Sequence, residues 1–255
     1  MTPSTHLQVR REGAVDHVVL NRPSVRNAFN EDLISEMAAW AARAGHDPAL
    51  RAAVLSGEGK VFCAGADLEW MSKMAGYSQV DNVRDATAAA RMFSAWDSLP
   101  FPVIARVHGA AIGGGAGLAA VADIVVASTD TTFGFTEVKL GLLPAIIAQY
   151  VLAKIGRSAA RELFLSGRRF TADEAKQIGL VHAVVPAEQL DATVANYLKE
   201  ILSGGREAIA ASKALISRIC SCSPEEAQRL SVAAIAERRV SEEAQSRMKD
   251  FLKKI

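Results

Sequence analysis

Apolar and polar positions alternate over Leu7–Arg11 and again over Val15–Asn21, on either side of Glu12-Gly13. That pattern predicts a β-hairpin, ended by Asn21-Arg22-Pro23. The period then lengthens. Leu33, Ile34, Met37 and Ala41 fall on one helical face, with Asn30 as N-cap and Asp47-Pro48 stopping the helix near His46. The apolar run Ala52–Leu55 predicts a short buried strand that leads through Ser56–Lys60 into Val61–Leu68. A helical stretch over Leu68–Ala75, a linker at Gly76–Gln79 and a long alanine-rich helix over Val80–Leu99 follow, until Pro100 and Pro102 break the pattern. Val103–Val107 reads as a strand, His108–Gly117 as a glycine-rich turn, Gly115–Ala122 as helix, and Ile124–Ala127 and Thr132–Phe135 as strands. From Ala145 the pattern is mainly helical, with Ala183–Val185 a last short strand. Short strands alternating with helices, then a helical tail, predict an α/β fold with a helical appendage.

Composition narrows the class. Half of the 255 residues are hydrophobic and 22% are charged, enough apolar material for a sizeable core and too little net charge for a disordered chain. With 29 basic and 28 acidic residues the net charge is +1, so no global attraction draws the chain to a nucleic acid or an anionic membrane. Aromatic residues make up 6%, a poor basis for a base-stacking surface. The longest uncharged stretches, Gly109–Ala122 and Leu140–Ala153, have 14 residues each. A spanning helix needs ~20. The amino terminus carries no apolar run or cleavage signature. Three cysteines, Cys63, Cys220 and Cys222, suit reduced thiols better than a disulfide framework, and their spacing fits no zinc site. These features predict a cytoplasmic protein with no membrane, nucleic-acid or metal partner.

Two strand-to-helix turns invite a chemical reading, because small residues there let a ligand approach backbone amides. One is Cys63–Leu68, where the N–H of Ala66 would point outward. The other is Gly113–Gly117, where the N–H of Gly114 would do the same. Two amides converging at helix N-termini would make an oxyanion hole. The same glycines also suit close packing of turn on strand, and spacing alone leaves both open. Gly115-Ala-Gly117-Leu-Ala-Ala120 matches a dinucleotide fingerprint in letters, but it begins too far after its strand. Glu137 follows the apolar Phe133-Gly134-Phe135, where desolvation would raise its pKa and suit it to proton transfer. A solvated glutamate paired with Lys139 is the alternative. Asp123 is placed to pin a turn, and Asp67 to order a loop. No G-x-S-x-G turn is present, and His6, His17, His46, His108 and His182 show no metal-ligand spacing.

Taken together and in order, these motifs resemble one family. Arg22-Pro23, Arg26-Asn27-Ala28, Phe62–Leu68, Gly109 with Gly113–Gly115, Ala122-Asp123-Ile124 and Phe133 to Glu137–Pro144 resemble the enoyl-CoA hydratase/isomerase (crotonase) superfamily, up to about Val185. The resemblance implies a spiral core of ββα units over residues 1–195. It implies a C-terminal helical region over 196–255 that assembles a homotrimer or a hexamer, a dimer of trimers. It implies an acyl-CoA thioester as substrate, with coenzyme A part of that substrate and no separate cofactor. Ala66 and Gly114 match the oxyanion-hole donors, and Glu137 matches one of two catalytic glutamates. Arg26, Ala28, Ala64, Asp67 and Leu68 match positions lining the CoA site.

The departures matter as much. Hydratases of this family usually carry another glutamate where this chain has Gly117, and other branches place an acid where it has Ala145. A single carboxylate resembles the 3,2-enoyl-CoA isomerases. The runs Ala64–Met71 and Glu137–Tyr150 resemble hydratase branches acting on branched, methylglutaconyl-type thioesters. The resemblance therefore implies hydration of a 2-enoyl-CoA, with isomerisation through Glu137 or non-catalytic acyl-CoA binding as alternatives. The acyl pocket is expected along Trp70–Gln79 and Val83–Leu99, with Met71, Met74, Met92 and Phe93 as candidate lining.

Overall fold

The computed structural model describes residues 6–253. The expectation about an amino-terminal leader falls partly on residues 1–5, outside that range, as do the outer ends of the two expected regions.

The predicted hairpin is β1 (Leu7–Glu12) against β2 (Val15–Leu20), antiparallel, with Gly13 at φ 57° in the turn. Asn30 caps α1 (Glu31–Ala44) by accepting from the Leu33 amide at 3.0 Å. Strand β3 (Ala52–Gly57) then pairs parallel to β2. Helices α2 (Leu68–Met74) and α3 (Gln79–Asp97) follow. Next come β4 (Val103–Val107), β5 (Ala110–Ile112) and α4 (Gly114–Val121). Strands β6 (Ile124–Ser128) and β7 (Thr132–Gly134) lead into a 3-10 turn at Glu137–Leu140.

The strands make two layers. One sheet has the order β1-β2-β3-β4-β6-β9, where β9 is Ala183–Val185, and every pair beyond the hairpin is parallel. The other has the order β5-β7-β8, where β8 is Arg169–Thr171. A single bridge from Cys63 to Ala111 adds the Cys63 turn beside β5. The chain thus repeats one step. It passes through the large sheet at β3, β4 and β6, then through the small layer at Cys63, β5 and β7, and then turns outward. Neighbouring steps lie side by side in both layers, which makes a spiral of ββα units.

Burial on both faces of the large sheet explains its continuous apolar runs. Ala53, Leu55, Val103, Ala105 and Val107 face the main core, whereas Ala52, Val54 and Ile104 face a second cluster with Leu190 and Val194. Those two belong to α7 (Leu190–Ser203). Position 195 therefore falls within a helix packed on the large sheet. The peripheral helices are α8 (Arg206–Ile219), α9 (Pro224–Val240) and α10 (Glu242–Leu252). They are tied back by polar contacts. Lys213 on α8 donates to Asp123 at 2.7 Å and to the Phe101 carbonyl at 3.3 Å. Asp123 also accepts from the Val103 amide at 2.7 Å, so it pins the turn before β6 as expected.

The helical expectation beyond Ala145 holds with two exceptions. Helix α5 (Ala148–Ser166) is interrupted at Gly156, whose φ and ψ are 69° and 172°. Strand β8 is missed because its three residues bury only Phe170, too little for an alternation to show. Helix α6 (Ala172–Gln177) then starts with a capping box between Thr171 and Glu174. Strand β5 is missed for a related reason. Its Ala-Ala-Ile run sits in a glycine-rich segment that reads as a turn.

The helix pair α1 and α3 is locked by two indoles. Trp40 and Trp96 lie 4.5 Å apart by ring centroid. Trp96 is fully buried and donates to the Met37 carbonyl at 3.1 Å, and Trp40 donates to Asp16 at 3.2 Å. Trp96→Ala removes the indole from a site with no solvent access and should cost about 3–5 kcal/mol of stability. Urea denaturation monitored by circular dichroism checks this, and a loss below 1 kcal/mol, roughly the scale of a surface change, would contradict the packing.

Candidate active site

Two turns meet where the small layer ends. The Cys63 amide donates to the Ala110 carbonyl, and the Ile112 amide donates to the Cys63 carbonyl, both at 3.0 Å. The approach is too close for side chains. A Cβ on Gly65 would lie 2.9 Å from the Ile112 oxygen, and one on Gly115 would lie 2.5 Å from the Cys63 oxygen. Gly65 and Gly113 also have φ of 94° and 53°, which L side chains rarely adopt. Sequence spacing leaves open whether the glycines serve packing or an anion site. They serve packing, and the packing exposes two amides.

Those amides belong to Ala66 and Gly114. The chain around Ala66 is held by Phe29, whose amide donates to Gly65 and whose carbonyl accepts from Asp67, at 2.7 and 2.9 Å. Gly114 is the first residue of α4, so its N–H has no partner within the helix. Among the described residues, neither the Ala66 nor the Gly114 amide donates to a protein group. At the other end of α4 the Lys154 ammonium closes the helix on the Ala122 carbonyl at 2.5 Å, and burial lowers its pKa to about 8.

Glu137 opens the 3-10 turn after β7 and reaches the same place. Its Oε1 lies 3.1 Å from where a Cβ on Gly113 would sit. Among the described residues its Oε2 is buried with no hydrogen-bond partner. Burial raises the carboxyl pKa above the ordinary glutamate value. Among the described residues Lys139, the alternative partner for this carboxylate, makes no ion pair with it. Cys63 is no competing nucleophile, because full burial pushes its thiol pKa up to about 12.

Ala66, Gly114 and Glu137 line one cavity of about 300 Å³. The rest of its wall is hydrocarbon, with Phe29, Trp70, Met92, Phe93, Leu143 and Ile147 prominent. Trp70, Met92 and Phe93 come from the segments expected to form the acyl pocket, while Met71 and Met74 do not line it. Phe29 and Ile147 are missed by sequence spacing. Both are buried, and only the fold turns one edge of each toward the cavity.

The five positions matched to a CoA site lie on two loops that pair with each other. The Ala64 amide donates to the Arg26 carbonyl at 3.0 Å. Arg26 is exposed, at φ 57°, and makes no ion pair among the described residues. Ala28 is buried, and Leu68 is 82% exposed. Asp67 faces inward. It caps α2 through the Glu69 amide and pairs with Arg22 at 2.8 Å. Burial pushes its pKa up, but the Glu69 amide and the Arg22 guanidinium outweigh that and hold it below the ordinary value. Asp67 therefore orders the loop.

Arg22 and Asn27 complete this clamp. Arg22 also donates to the Ala28 carbonyl. Asn27 is fully buried at φ 56°, donating to the Glu58 and Val61 carbonyls at 2.8 and 2.9 Å and accepting from the Arg22 amide at 2.9 Å. Among the described residues no cluster of His, Cys, Asp or Glu is arranged to hold a metal ion.

A model of the enoyl-CoA hydratase/isomerase family matches residues 10–255. The chain is 33% identical over 248 residues to the short-chain-enoyl-CoA hydratase of Clostridium acetobutylicum, covering 96% of this chain and 94% of that one. It is 41% identical over 175 residues to a mevalonyl-coenzyme A hydratase of Beauveria bassiana, covering 66% and 62%. The crystal structure of an enoyl-CoA hydratase from Shewanella pealeana superposes with a TM-score of 0.95 at 35% identity, covering 99% and 95%. The two-layer α/β spiral and its helical region are the fold that the sequence motifs imply.

Two measurements check the site's physical chemistry. The folded chain binds the Glu137 proton more tightly than the unfolded chain does. The group therefore favours folding below the ordinary carboxylate pKa and loses that contribution as pH rises through its raised value. Glu137→Gln removes this titration, so its unfolding free energy should gain on the wild type from acid to neutral pH. A pH-independent difference would contradict the raised pKa. Asn27→Ala leaves three backbone groups without their partner and should cost about 2–4 kcal/mol by urea denaturation.

Proposed function

The chain belongs to the enoyl-CoA hydratase/isomerase family, and from that premise we propose that it adds water to a 2-enoyl-CoA thioester. The observation that carries this is a carboxylate, Glu137, half-buried against the turn that presents the Gly114 amide and sharing an apolar cavity with the Ala66 amide. The two amides hold the thioester carbonyl oxygen. As the oxygen of water bonds to the β-carbon, the double-bond electrons move toward the carbonyl and charge builds on that oxygen as an enolate. Amide donors pre-aimed at developing charge lower the barrier without reorganisation. Glu137 accepts the proton released by the water and delivers a proton to the α-carbon. The carboxylate is regenerated, and the product is a 3-hydroxyacyl-CoA. The raised pKa of Glu137 brings its proton affinity closer to neutral pH, where general acid–base transfer is most effective.

Ala28 and Ala64 leave room along the paired loops for the CoA moiety, Leu68 offers an exposed apolar contact, and Asp67 fixes the loop through Arg22. Arg26 meets a phosphate of CoA. No cofactor beyond the CoA of the substrate enters this scheme. The acyl chain occupies the cavity, whose lining has Glu137 as its charged side chain. That favours a hydrocarbon chain, and a branched glutaconyl-type substrate would have to place its distal carboxylate outside this lining. Apolar side chains exposed on the C-terminal helices, among them Ile216, Val232, Ile235 and Phe251, support assembly as a homotrimer or a dimer of trimers. Among the described residues no helix is long and apolar enough to cross a membrane. A cytoplasmic place, expected from the sequence, belongs to this proposal.

A second reading is favoured by one position. Gly117 stands where a second carboxylate would help to hold the water, and a lone Glu137 could instead move a proton from the α-carbon to the γ-carbon of a 3-enoyl thioester. A panel of unsaturated acyl-CoA thioesters in oxygen-labelled water, followed by mass spectrometry, separates the two. Hydration adds the mass of one labelled water, whereas isomerisation leaves the mass unchanged. Glu137→Gln should lower kcat by about 10²–10⁴ while acyl-CoA binding persists. Full activity in that variant would remove Glu137 from the mechanism, and absence of turnover on every thioester would leave a binding protein.

A further inference from the structure

Gly117 lies inside α4 with ordinary helical geometry, so it is not glycine for the sake of backbone freedom. What it lacks is room. A Cβ there would lie 2.2 Å from Ile147 Cγ2, 2.9 Å from Ile147 Cβ and 3.2 Å from Phe93 Cε1. Both neighbours are buried, Ile147 at 3% exposure and Phe93 at 4%. Phe93 is wedged between the rings of Phe29 and Tyr150, with centroids at 6.1 and 6.2 Å. Ile147 is fixed at the entry to α5, where its carbonyl accepts from the Val151 amide at 3.1 Å. Both also line the cavity that holds Glu137.

We propose that Ile147 fixes this as a one-carboxylate site, its side chain filling the volume that any side chain at position 117 would enter. The glycine is then more than an absent acid. The wall behind it has been closed with hydrocarbon, so a carboxylate cannot be restored by changing position 117 alone. The same closure governs water. With the Ala66 and Gly114 amides given over to the thioester oxygen, a water in this cavity finds the Glu137 carboxylate and otherwise a hydrocarbon wall, and a stable water site needs several polar partners and room. Ile147 is thereby a specificity-determining residue that restricts how much water can stand beside Glu137. It sets the balance between adding water and moving the double bond. This rests on Glu137 being the acid–base group.

The first test is a stability cycle in the full chain. Alanine is a better helix former than glycine, so with free room Gly117→Ala would raise Tm. Against Ile147 it should lower Tm by roughly 2–12 °C, the overpacking range. Ile147→Gly removes both the methyl at 2.2 Å and the Cβ at 2.9 Å, and in that background the loss should vanish or reverse. Ile147→Ala keeps the Cβ and should give an intermediate coupling, which decides the matter if the glycine variant does not fold. An equal Gly117→Ala effect in all backgrounds would overturn the proposal.

The second test is product partition with the same thioester panel. Ile147→Ala should shift the ratio of hydrated to isomerised product toward hydration. Gly117→Glu should lose activity alone and regain it with Ile147→Gly, together with a second ionisation in the pH–rate profile. An unchanged ratio, or a fully active Gly117→Glu single variant, overturns the role of Ile147. An active Glu137→Gln enzyme would instead overturn the acid–base reading and leave the stability cycle unaffected.

Discussion

The backbone contact between the Cys63 turn and strand β5 is what the rest of this protein depends on. Two hydrogen bonds of 3.0 Å join segments too close to admit a Cβ at Gly65 or Gly115. Because the two turns are pressed together, the amides of Ala66 and Gly114 belong to one cavity. Because β7 is the next strand of the same layer, the chain leaving it delivers Glu137 against the same turn. The large sheet, buried on both faces, supplies the rigid frame. A site that relies on backbone donors, as proposed here, needs such a frame, since amides have no rotamers with which to correct a misplacement.

Around that contact, polar and apolar groups do separate work. The charged and polar clamp of Arg22, Asn27 and Asp67 holds the paired loops on the side matched to CoA. The cavity on the acyl side is hydrocarbon except for Glu137, whose buried oxygen has no partner within the described residues. An unsatisfied buried oxygen is costly to stability, and functional sites are where such a cost is retained. The lone acid and the closed wall at Ile147 belong together. On the proposal above, both limit how much water can stand beside Glu137.

Much of this was legible in the chain. The hairpin, the cap at Asn30 and the long α3 follow from period and cap chemistry, which depend on neighbours a few residues away. The same holds for the candidate amides and Glu137, which sit in local motifs of small or apolar residues. What was not legible depends on contacts between distant segments. Strands β5 and β8 are three residues each and gain their identity only by pairing with β7. Asn27 is a buried hub that its neighbourhood does not reveal, because two of its three partners lie more than thirty residues away.

By itself the sequence determined which groups are available: two small-residue turns, one carboxylate in apolar company, a glycine where a second acid could stand, and near-neutral charge. Tertiary structure decided what those groups mean. It joined the two turns and turned Asp67 inward to Arg22, leaving Arg26 outside. It also placed Ile147, thirty residues along the chain, against Gly117. The physical reason is steric. A residue's type states what it could do, but the volume left to it is set by whatever the fold brings alongside.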